Sequence, residues 1–299
     1  MRTIRTVAAL REVLAPERRA GRTIGLVPTM GALHEGHLML LRRARAESEI
    51  VVMSLFVNPT QFGETADLEA YPRDEARDAA LAAELGVDVL FAPPVEEVYP
   101  RGFATTVSVA GITDPLEGEF RGRAHFDGVA TVVCKLLNMV GPDAAYFGQK
   151  DAQQALVIRR LVADLNLPVR IAVCPTVRDA DGLALSSRNS RLSPAERDRA
   201  LALSRALSGA RSAVEAGVSD ARAIGEQARA GLEAAGVQTD YFEIADPETL
   251  APVTRLDRPA LALVAGRVGT TRLIDNQMLP AIPAAERPDT GDARCSARC

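Results

Sequence analysis

No apolar run in this 299-residue chain reaches the roughly 18 residues that a membrane-spanning helix requires. Residues 1–8 carry no apolar stretch long enough for a secretory signal, although Arg2 and Arg5 among few early acids give a faint transit-like bias. Basic residues are not in excess either: 35 Lys and Arg face 39 Asp and Glu, for a net charge of −4. That balance removes the broad basic footprint of a nucleic-acid binder. Cysteine is scarce. Cys134 and Cys174 fall in apolar helical and strand-like runs, and Cys295 and Cys299 stand in the tail without histidines nearby. Neither a disulfide framework nor a zinc site is expected, and no protein-bound metal is assigned. The expected location is cytoplasmic, with no nucleic-acid or membrane partner. Lysine is nearly missing as well, with Lys135 and Lys150 standing alone in an arginine background. An isolated lysine can mark a place that needs a compact ammonium, though Lys135 on a helix reads as chance.

What the chain does contain is enough apolar sequence (47%) for a sizeable core. Residues 23–27, 50–56, 87–91, 144–147 and 169–174 are short apolar runs of the kind buried parallel strands show. Helical patterns alternate with them, over 38–46, 73–85, 126–140 and from 152 to 165. This order predicts an α/β fold, a doubly wound, mainly parallel, Rossmann-like sheet. After about residue 180 two helical stretches, 193–216 and 219–235, precede two strand-like ones, 241–245 and 260–265. They predict a smaller C-terminal α+β domain. The expected division is 1–178 for the first domain, 179–280 for the second, and a disordered tail over 281–299.

Two of the three histidines sit in Pro28-Thr29-Met30-Gly31-Ala32-Leu33-His34-Glu35-Gly36-His37, where the first of those strands hands over to a helix. A helix start offers unpaired N–H groups and the positive end of the dipole, which suits phosphate. Imidazoles at i and i+3 share a face and add donors. A helix cap or a packed side chain is the plainer reading of either histidine. A zinc-protease helix needs histidines four apart, and Leu38 occupies that position. In a doubly wound sheet the loops after residues 27, 56 and 147 open on one edge, so they converge on one site. Ser186-Ser187-Arg188, in a stretch read as a loop, adds hydroxyls and a guanidinium that suit phosphate.

These pieces do not stand alone. The 28–37 turn, Asn58-Pro59-Thr60-Gln61-Phe62, Tyr71-Pro72-Arg73, His125-Phe126-Asp127-Gly128-Val129, Gly148-Gln149-Lys150-Asp151-Ala152-Gln153-Gln154, Leu185-Ser186-Ser187-Arg188-Asn189 and Thr271-Arg272-Leu273-Ile274-Asp275-Asn276 occur in this order. Together they resemble the pantothenate synthetase (pantoate–β-alanine ligase) family over about residues 1–280. The family belongs to the nucleotidyltransferases with a His-x-Gly-His turn. The resemblance implies that pantoate attacks the α-phosphate of ATP, giving pantoyl adenylate and pyrophosphate. The amine of β-alanine then gives pantothenate and AMP. It implies Mg²⁺ as well as ATP, and a homodimer.

Residue by residue, the resemblance implies a proton-donor role at His37, with activity titrating near the ordinary imidazole value. His34, Lys150, Ser186, Ser187 and Arg188 would join it in charge stabilisation. Met30, Gly31, Ala32, Leu33, Glu35, Gly36, Gly148, Gln149, Asp151, Val177 and Leu185 complete the nucleotide contacts. Gln61 and Gln154 would hold pantoate. Asp151 competes with a helix-capping reading. Tyr71 would gate the cleft, and Asp78 reads either as an indirect Mg²⁺ contact or as a solvated helix face. One departure stands out. The family's Arg-Pro-Gly-His-Phe is replaced by Arg121-Gly122-Arg123-Ala124-His125-Phe126, one residue longer and without proline. Counting favours Arg121 as the family arginine, with Arg123 as substitute, in a loop expected to be more mobile. Three other functions remain open at this point: another small-molecule adenylyl or cytidylyl transferase, a relative of the tRNA synthetases that share the turn, and a non-catalytic nucleotide-binding regulator.

Overall fold

The computed structural model describes residues 1–62, 68–69 and 71–282. The tail over 283–299, with Cys295 and Cys299, lies outside the described residues. The larger sheet contains β1 (Arg2–Ile4), β2 (Ile24–Thr29), β3 (Ile50–Leu55), β4 (Val89–Phe91), β5 (Ala144–Gly148) and β6 (Arg170–Cys174). Their order is β1-β4-β3-β2-β5-β6, and every neighbouring pair is parallel. β2 and β3 are buried along nearly their whole length, which is why they read as unbroken apolar runs. β1 escapes a reading of the sequence. Its three residues are largely exposed, and its partner β4 lies far along the chain, so no periodicity announces it.

The helices of this part are α1 (Val7–Arg19), α2 (Glu35–Glu47), α3 (Glu75–Glu84), α4 (Val95–Val98), α5 (Glu117–Arg121), α6 (Arg123–Val140) and α7 (Ala152–Asp164). They cover both faces of the sheet. Leu10 and Leu14 of α1 join Leu136 of α6 and Ile158 of α7 in one core. Leu41 of α2 and Ala82 of α3 build a second core with Val27, Met53 and Tyr146 on the other face. Chain direction reverses its walk across the sheet at β2, with β3 on one side and β5 on the other. A crevice therefore opens at the carboxyl ends of β2 and β5, where doubly wound sheets bind ligands.

The stretch expected to be a loop before residue 126 is helical instead. α5 and α6 are joined by Gly122 alone, whose φ of +77° lets one residue end the first helix and start the next. The smaller unit has α8 (Pro194–Glu215), α9 (Ala221–Ala234) and an antiparallel sheet of β7 (Gln238–Ala245), β8 (Ala260–Val268) and β9 (Thr271–Leu279). α8 starts with a full capping box between Ser193 and Glu196. One face of this sheet packs under α8 and α9 through Phe242, Ala262 and Val264. The other face, with Tyr241, Leu261 and Leu263, packs on Leu116 and Ala152 of the first unit.

Candidate active site

The turn after β2 is fixed from beneath. Gly31 has φ +87°, and a Cβ there would meet Leu55 Cδ1 at 2.8 Å and Asp78 Oδ2 at 2.9 Å. Asp78, 1% exposed, accepts hydrogen bonds from Ala32 N (2.8 Å) and Leu33 N (2.9 Å). Both oxygens of Asp78 are thus engaged with the backbone, which corrects the solvated-face reading: α3 turns this residue inward to hold the turn. Leu33 itself is buried, and Glu35 pairs with Arg42 at the surface.

His34 is the N-cap of α2, so the plain capping reading is correct, and the ring does more besides. Its Nδ1 accepts from Gly36 N at 3.2 Å, and His37 Nδ1 accepts from His34 N at 3.4 Å. An Nδ1 that accepts a backbone N–H carries no proton. Each neutral ring therefore keeps its proton on Nε2, as a single donor. The rings stand 4.2 Å apart between centroids. Burial lowers the pKa of His37 to about 3, helped by the neighbouring His34 and Lys150. His34 is lowered for the same first reason, with Lys150 next. Burial thus keeps the His37 ring neutral well below the ordinary imidazole value at which its titration was expected.

His125 has the opposite tautomer. Its Nδ1 lies 2.7 Å from the Gln61 carbonyl oxygen, an acceptor only, so Nδ1 carries the proton. Burial, and then Arg121, lower its pKa, leaving a neutral ring with a bare Nε2. Gln61 ends a 3₁₀ turn, Pro59–Gln61, pressed against α6. Buried Asn58 donates from Nδ2 to Gln61 Oε1 (3.1 Å) and to Gly128 O (3.1 Å). The oxygen of the Gln61 amide is thereby occupied, and its Nε2 approaches Met30 Sδ at 2.9 Å.

The loop after β5 is tied to β9. Asn276 donates to Gln149 O (2.8 Å) and Lys150 O (3.0 Å), and Gln149 Nε2 returns a bond to Asn276 Oδ1 (3.0 Å). Asp275 beside it receives both terminal nitrogens of Arg178, at 2.6 and 3.0 Å. Lys150 Nζ lies 3.4 Å from Asp151 Oδ1. Burial alone would raise the Asp151 carboxyl, but Lys150, Arg188 and Arg121 outweigh it and the pKa is lowered. Asp151 holds the N-cap position of α7, as the capping reading expected, but its side chain makes no cap bond there. Ser187–Arg191 is a 3₁₀ turn, not a loop, and Ser186 caps it by accepting from Arg188 N (3.3 Å).

These elements enclose a cavity of about 470 Å³. Met30, His34, Gly36 and His37 line it from the β2 turn, and Gly148, Lys150, Asp151 and Gln154 from the β5 loop. Gln61 and Tyr71 close another side; Val177, Leu185, Ser186, Ser187 and Arg188 come from the boundary between the two units. Gly31, Ala32, Leu33, Glu35 and Gln149 are frame, and their side chains do not line it. Arg121 lines the cavity, whereas Arg123 donates to Ser108 Oγ at 3.4 Å and does not.

Sequence reasoning missed a buried ion cluster on the floor. Glu117 receives Arg272 in bidentate fashion (2.7 and 2.8 Å), Arg121 Nε (2.6 Å) and Tyr241 OH (3.0 Å). Arg272 also donates to Asp240 at 2.6 Å. Burial would raise the Glu117 carboxyl, but Arg272 and Arg121 together bring it down to about 2. The only local signal for Glu117 is its i,i+4 spacing to Arg121; its other partners, Tyr241 and Arg272, stand far along the chain on β7 and β9.

The sequence profile of the pantoate-beta-alanine ligase family matches residues 2–278. The chain belongs to the pantoate–β-alanine ligase family. It is 57% identical over 274 residues to the pantothenate synthetase of Cereibacter sphaeroides, covering 91% of this chain and 98% of that protein. Against the Moorella thermoacetica pantothenate synthetase it is 53% identical over 283 residues, covering 93% and 99%. The crystal structure of the Thermus thermophilus pantothenate synthetase superposes with a TM-score of 0.88 at 51% identity, over 93% of this chain and 99% of that one. The Francisella tularensis ligase, solved with beta-gamma ATP and β-alanine, superposes with a TM-score of 0.76 at 33% identity, over 93% and 97%. Among this ligase's described residues, no helix is long and apolar enough to cross a membrane.

Proposed function

We propose that this chain is an ATP-dependent ligase that condenses (R)-pantoate with β-alanine to pantothenate, through pantoyl adenylate, releasing pyrophosphate and then AMP. Family membership over residues 2–278 supports the overall reaction. The observation that carries the site is the convergence of two Nε2–H imidazoles, Lys150, Arg188 and the amides of Gln61 and Gln154 on one cavity.

Attack of a carboxylate on a triphosphate brings like charges together, and the site must offset that charge. His34 and His37 sit where α2 points its N-terminal dipole, so their Nε2 donors and the helix start act on the same phosphate. Lys150, Ser186, Ser187 and Arg188 hold the remaining phosphate oxygens. Gln61 presents its Nε2 to pantoate, since Asn58 occupies its oxygen. Gln154, free of hydrogen-bond partners among the described residues, supplies the second amide. Asp151 binds the ribose.

Mg²⁺ fits this site as an ion carried by the triphosphate, where it would neutralise phosphate charge. Among the described residues no group of three or more His, Cys, Asp or Glu is disposed to hold a metal. Mg²⁺ ordinarily uses one or two carboxylates, phosphates and water. Glu117 and Asp275 are consumed by arginines, which leaves Asp151 as the cavity carboxylate with capacity to spare. The same family reading carries a homodimer and a cytoplasmic location; a light-scattering mass near 31.9 kDa would remove the dimer.

AMP formation measured with pantoate, β-alanine, ATP and Mg²⁺, omitting each in turn, tests the reaction. Dependence on all four is expected. Pyrophosphate exchange that ignores pantoate and responds to another acid would overturn it in favour of a different adenylyl transferase.

A further inference from the structure

Of the chain's two lysines, Lys150 lines the cavity and Lys135 does not. Lys135, on α6, places its Nζ 4.4 Å from the centre of the Phe103 ring and 5.9 Å from that of Tyr99. Both distances lie within the range over which a ring attracts a cation, so chance does not explain this lysine. Tyr99 ends α4, and Phe103 stands edge-on to it at 5.2 Å, in a turn closed by Phe103 N donating to Pro100 O (2.9 Å). Neither ring is part of the cavity wall. The Tyr99 hydroxyl, however, reaches a residue that is. It donates to Asn58 Oδ1 at 2.8 Å. Thr60 donates to the same oxygen from N (3.3 Å) and Oγ1 (2.9 Å). Donors converging on Oδ1 give the buried Asn58 amide one orientation, so its Nδ2 faces the two acceptors, Gln61 Oε1 and Gly128 O. The amide turned over would set donor against donor and acceptor against acceptor. Polarity thus passes from the phenol to Asn58 and on to Gln61, whose Nε2 is left as the end that faces the cavity.

We propose that Tyr99, steadied by Lys135, is a positioning residue for recognition of the hydroxy acid: its hydroxyl sets the polarity of the Asn58 amide and, through it, the direction in which Gln61 offers its donor. This rests on the ligase reading above. Tyr99 and Lys135 touch no substrate. The nucleotide end of the cavity shares none of these contacts, since Asp78 holds the histidine turn and Asn276 holds the β5 loop. The relay therefore acts on one substrate and leaves the other alone.

Tyr99→Phe keeps the ring and removes the hydroxyl. In pantoate-dependent ATP–pyrophosphate exchange it should raise KM for pantoate about 3–10-fold, the size of one lost hydrogen bond, with KM for ATP within about two-fold. The retained KM for ATP also reports that the variant is folded. Lys135→Met should raise the same KM by about 2–5-fold, and Lys135→Arg should stay near the unmodified value, because a guanidinium also lies on aromatic faces. A double-mutant cycle then asks whether Tyr99 acts through Gln61. In a Gln61→Leu background, where pantoate has already lost that donor, adding Tyr99→Phe should change nothing further. Side-chain amide NMR gives the same answer without turnover: the Gln61 NH₂ signals should shift or broaden in Tyr99→Phe and not in Arg123→Ala. An equal loss in both backgrounds, or Gln61 signals that Tyr99→Phe leaves in place, would overturn the relay. So would an unchanged KM for pantoate in Tyr99→Phe, or a parallel rise in KM for ATP, which would mark a packing role. An unchanged KM in Lys135→Met would strike the lysine from it. Absence of exchange in the unmodified enzyme would instead overturn the ligase reading itself.

Discussion

Single protons decide most of the chemistry at the scale of the residue. His34 and His37 donate from Nε2 and His125 accepts there, and in each case the backbone has chosen the tautomer. His37→Ala is expected to lower turnover by ~10²–10³, the usual cost of losing one donor to developing charge. Its thermal midpoint should move little, since His34 still caps α2; unchanged turnover would remove His37 from the reaction. The ring's lowered pKa, about 3, carries a second expectation. A nearby triphosphate favours the charged imidazole, so binding raises that value. In ring-nitrogen NMR at pH 5 the free protein should show a neutral His37. Addition of a non-hydrolysable ATP analogue should shift it toward the protonated form, and a ring already charged without nucleotide would contradict the burial argument. Asp78 belongs to the same scale. Asp78→Ala leaves Ala32 N and Leu33 N without acceptors, at about 1–3 kcal/mol for each buried group, and loosens the histidine turn. Denaturant titration should show that loss, with Asp78→Asn losing less because one oxygen remains.

Elements were legible where burial writes a pattern into local sequence. β2, β3 and β5 are mostly apolar because helices cover both faces, and α8 opens on Ser-Pro-Ala-Glu, a capping sequence that needs no tertiary context. The site's motifs were read through the resemblance; several lie at a strand end or helix start, such as those after β2 and β5, whereas Thr271–Asn276 lies within β9. β1 was hidden by its exposed residues, and α5 by its five-residue length and its glycine-rich exit. Glu117 was hidden because its meaning comes from residues on another sheet. Asp78 looked like any acid on a helix, and only the placement of α3 against the β2 turn buries it. Gly128 shows how tightly elements meet. A Cβ on it would lie 2.5 Å from Thr60 O and 2.7 Å from Thr60 C, both backbone atoms. Gly128→Ala must therefore push the Asn58–Gln61 turn away from α6, costing about 1–3 kcal/mol. KM for pantoate should rise while KM for ATP holds, because Gln61 moves and the histidine turn does not. Equal changes in both would mean that the whole cavity deforms.

The whole molecule is two sheets sharing a junction that is apolar on one side and ionic on the other. Leu116 and Ala152 meet Tyr241, Leu261 and Leu263 there, and Glu117 sits beside them with Arg272. Burying a carboxylate at a junction is costly unless every oxygen is satisfied, and four hydrogen bonds satisfy this one. The Glu117 pKa of about 2, against an ordinary 4.5, makes the junction sensitive to acid. A carboxyl held below its unfolded value contributes stability that is complete above the unfolded value. That contribution disappears as pH falls through the folded one. The window is therefore from about 4.5 down to about 2, and the size is about 3 kcal/mol by proton linkage. Urea unfolding at pH 6, 4 and 3 should show the protein losing stability through this range. Glu117→Gln should be less stable at pH 6 by a comparable amount, because Arg272 and Arg121 lose their counter-charge, and the gap to the unmodified protein should narrow steadily toward pH 3. A gap independent of pH would mean that glutamine costs only packing and that Glu117 folds uncharged. Arg272→Met is the complementary change. It leaves Glu117 with Arg121 and Tyr241 alone, so the carboxyl titrates higher, and acid unfolding should begin at a higher pH than in the unmodified protein.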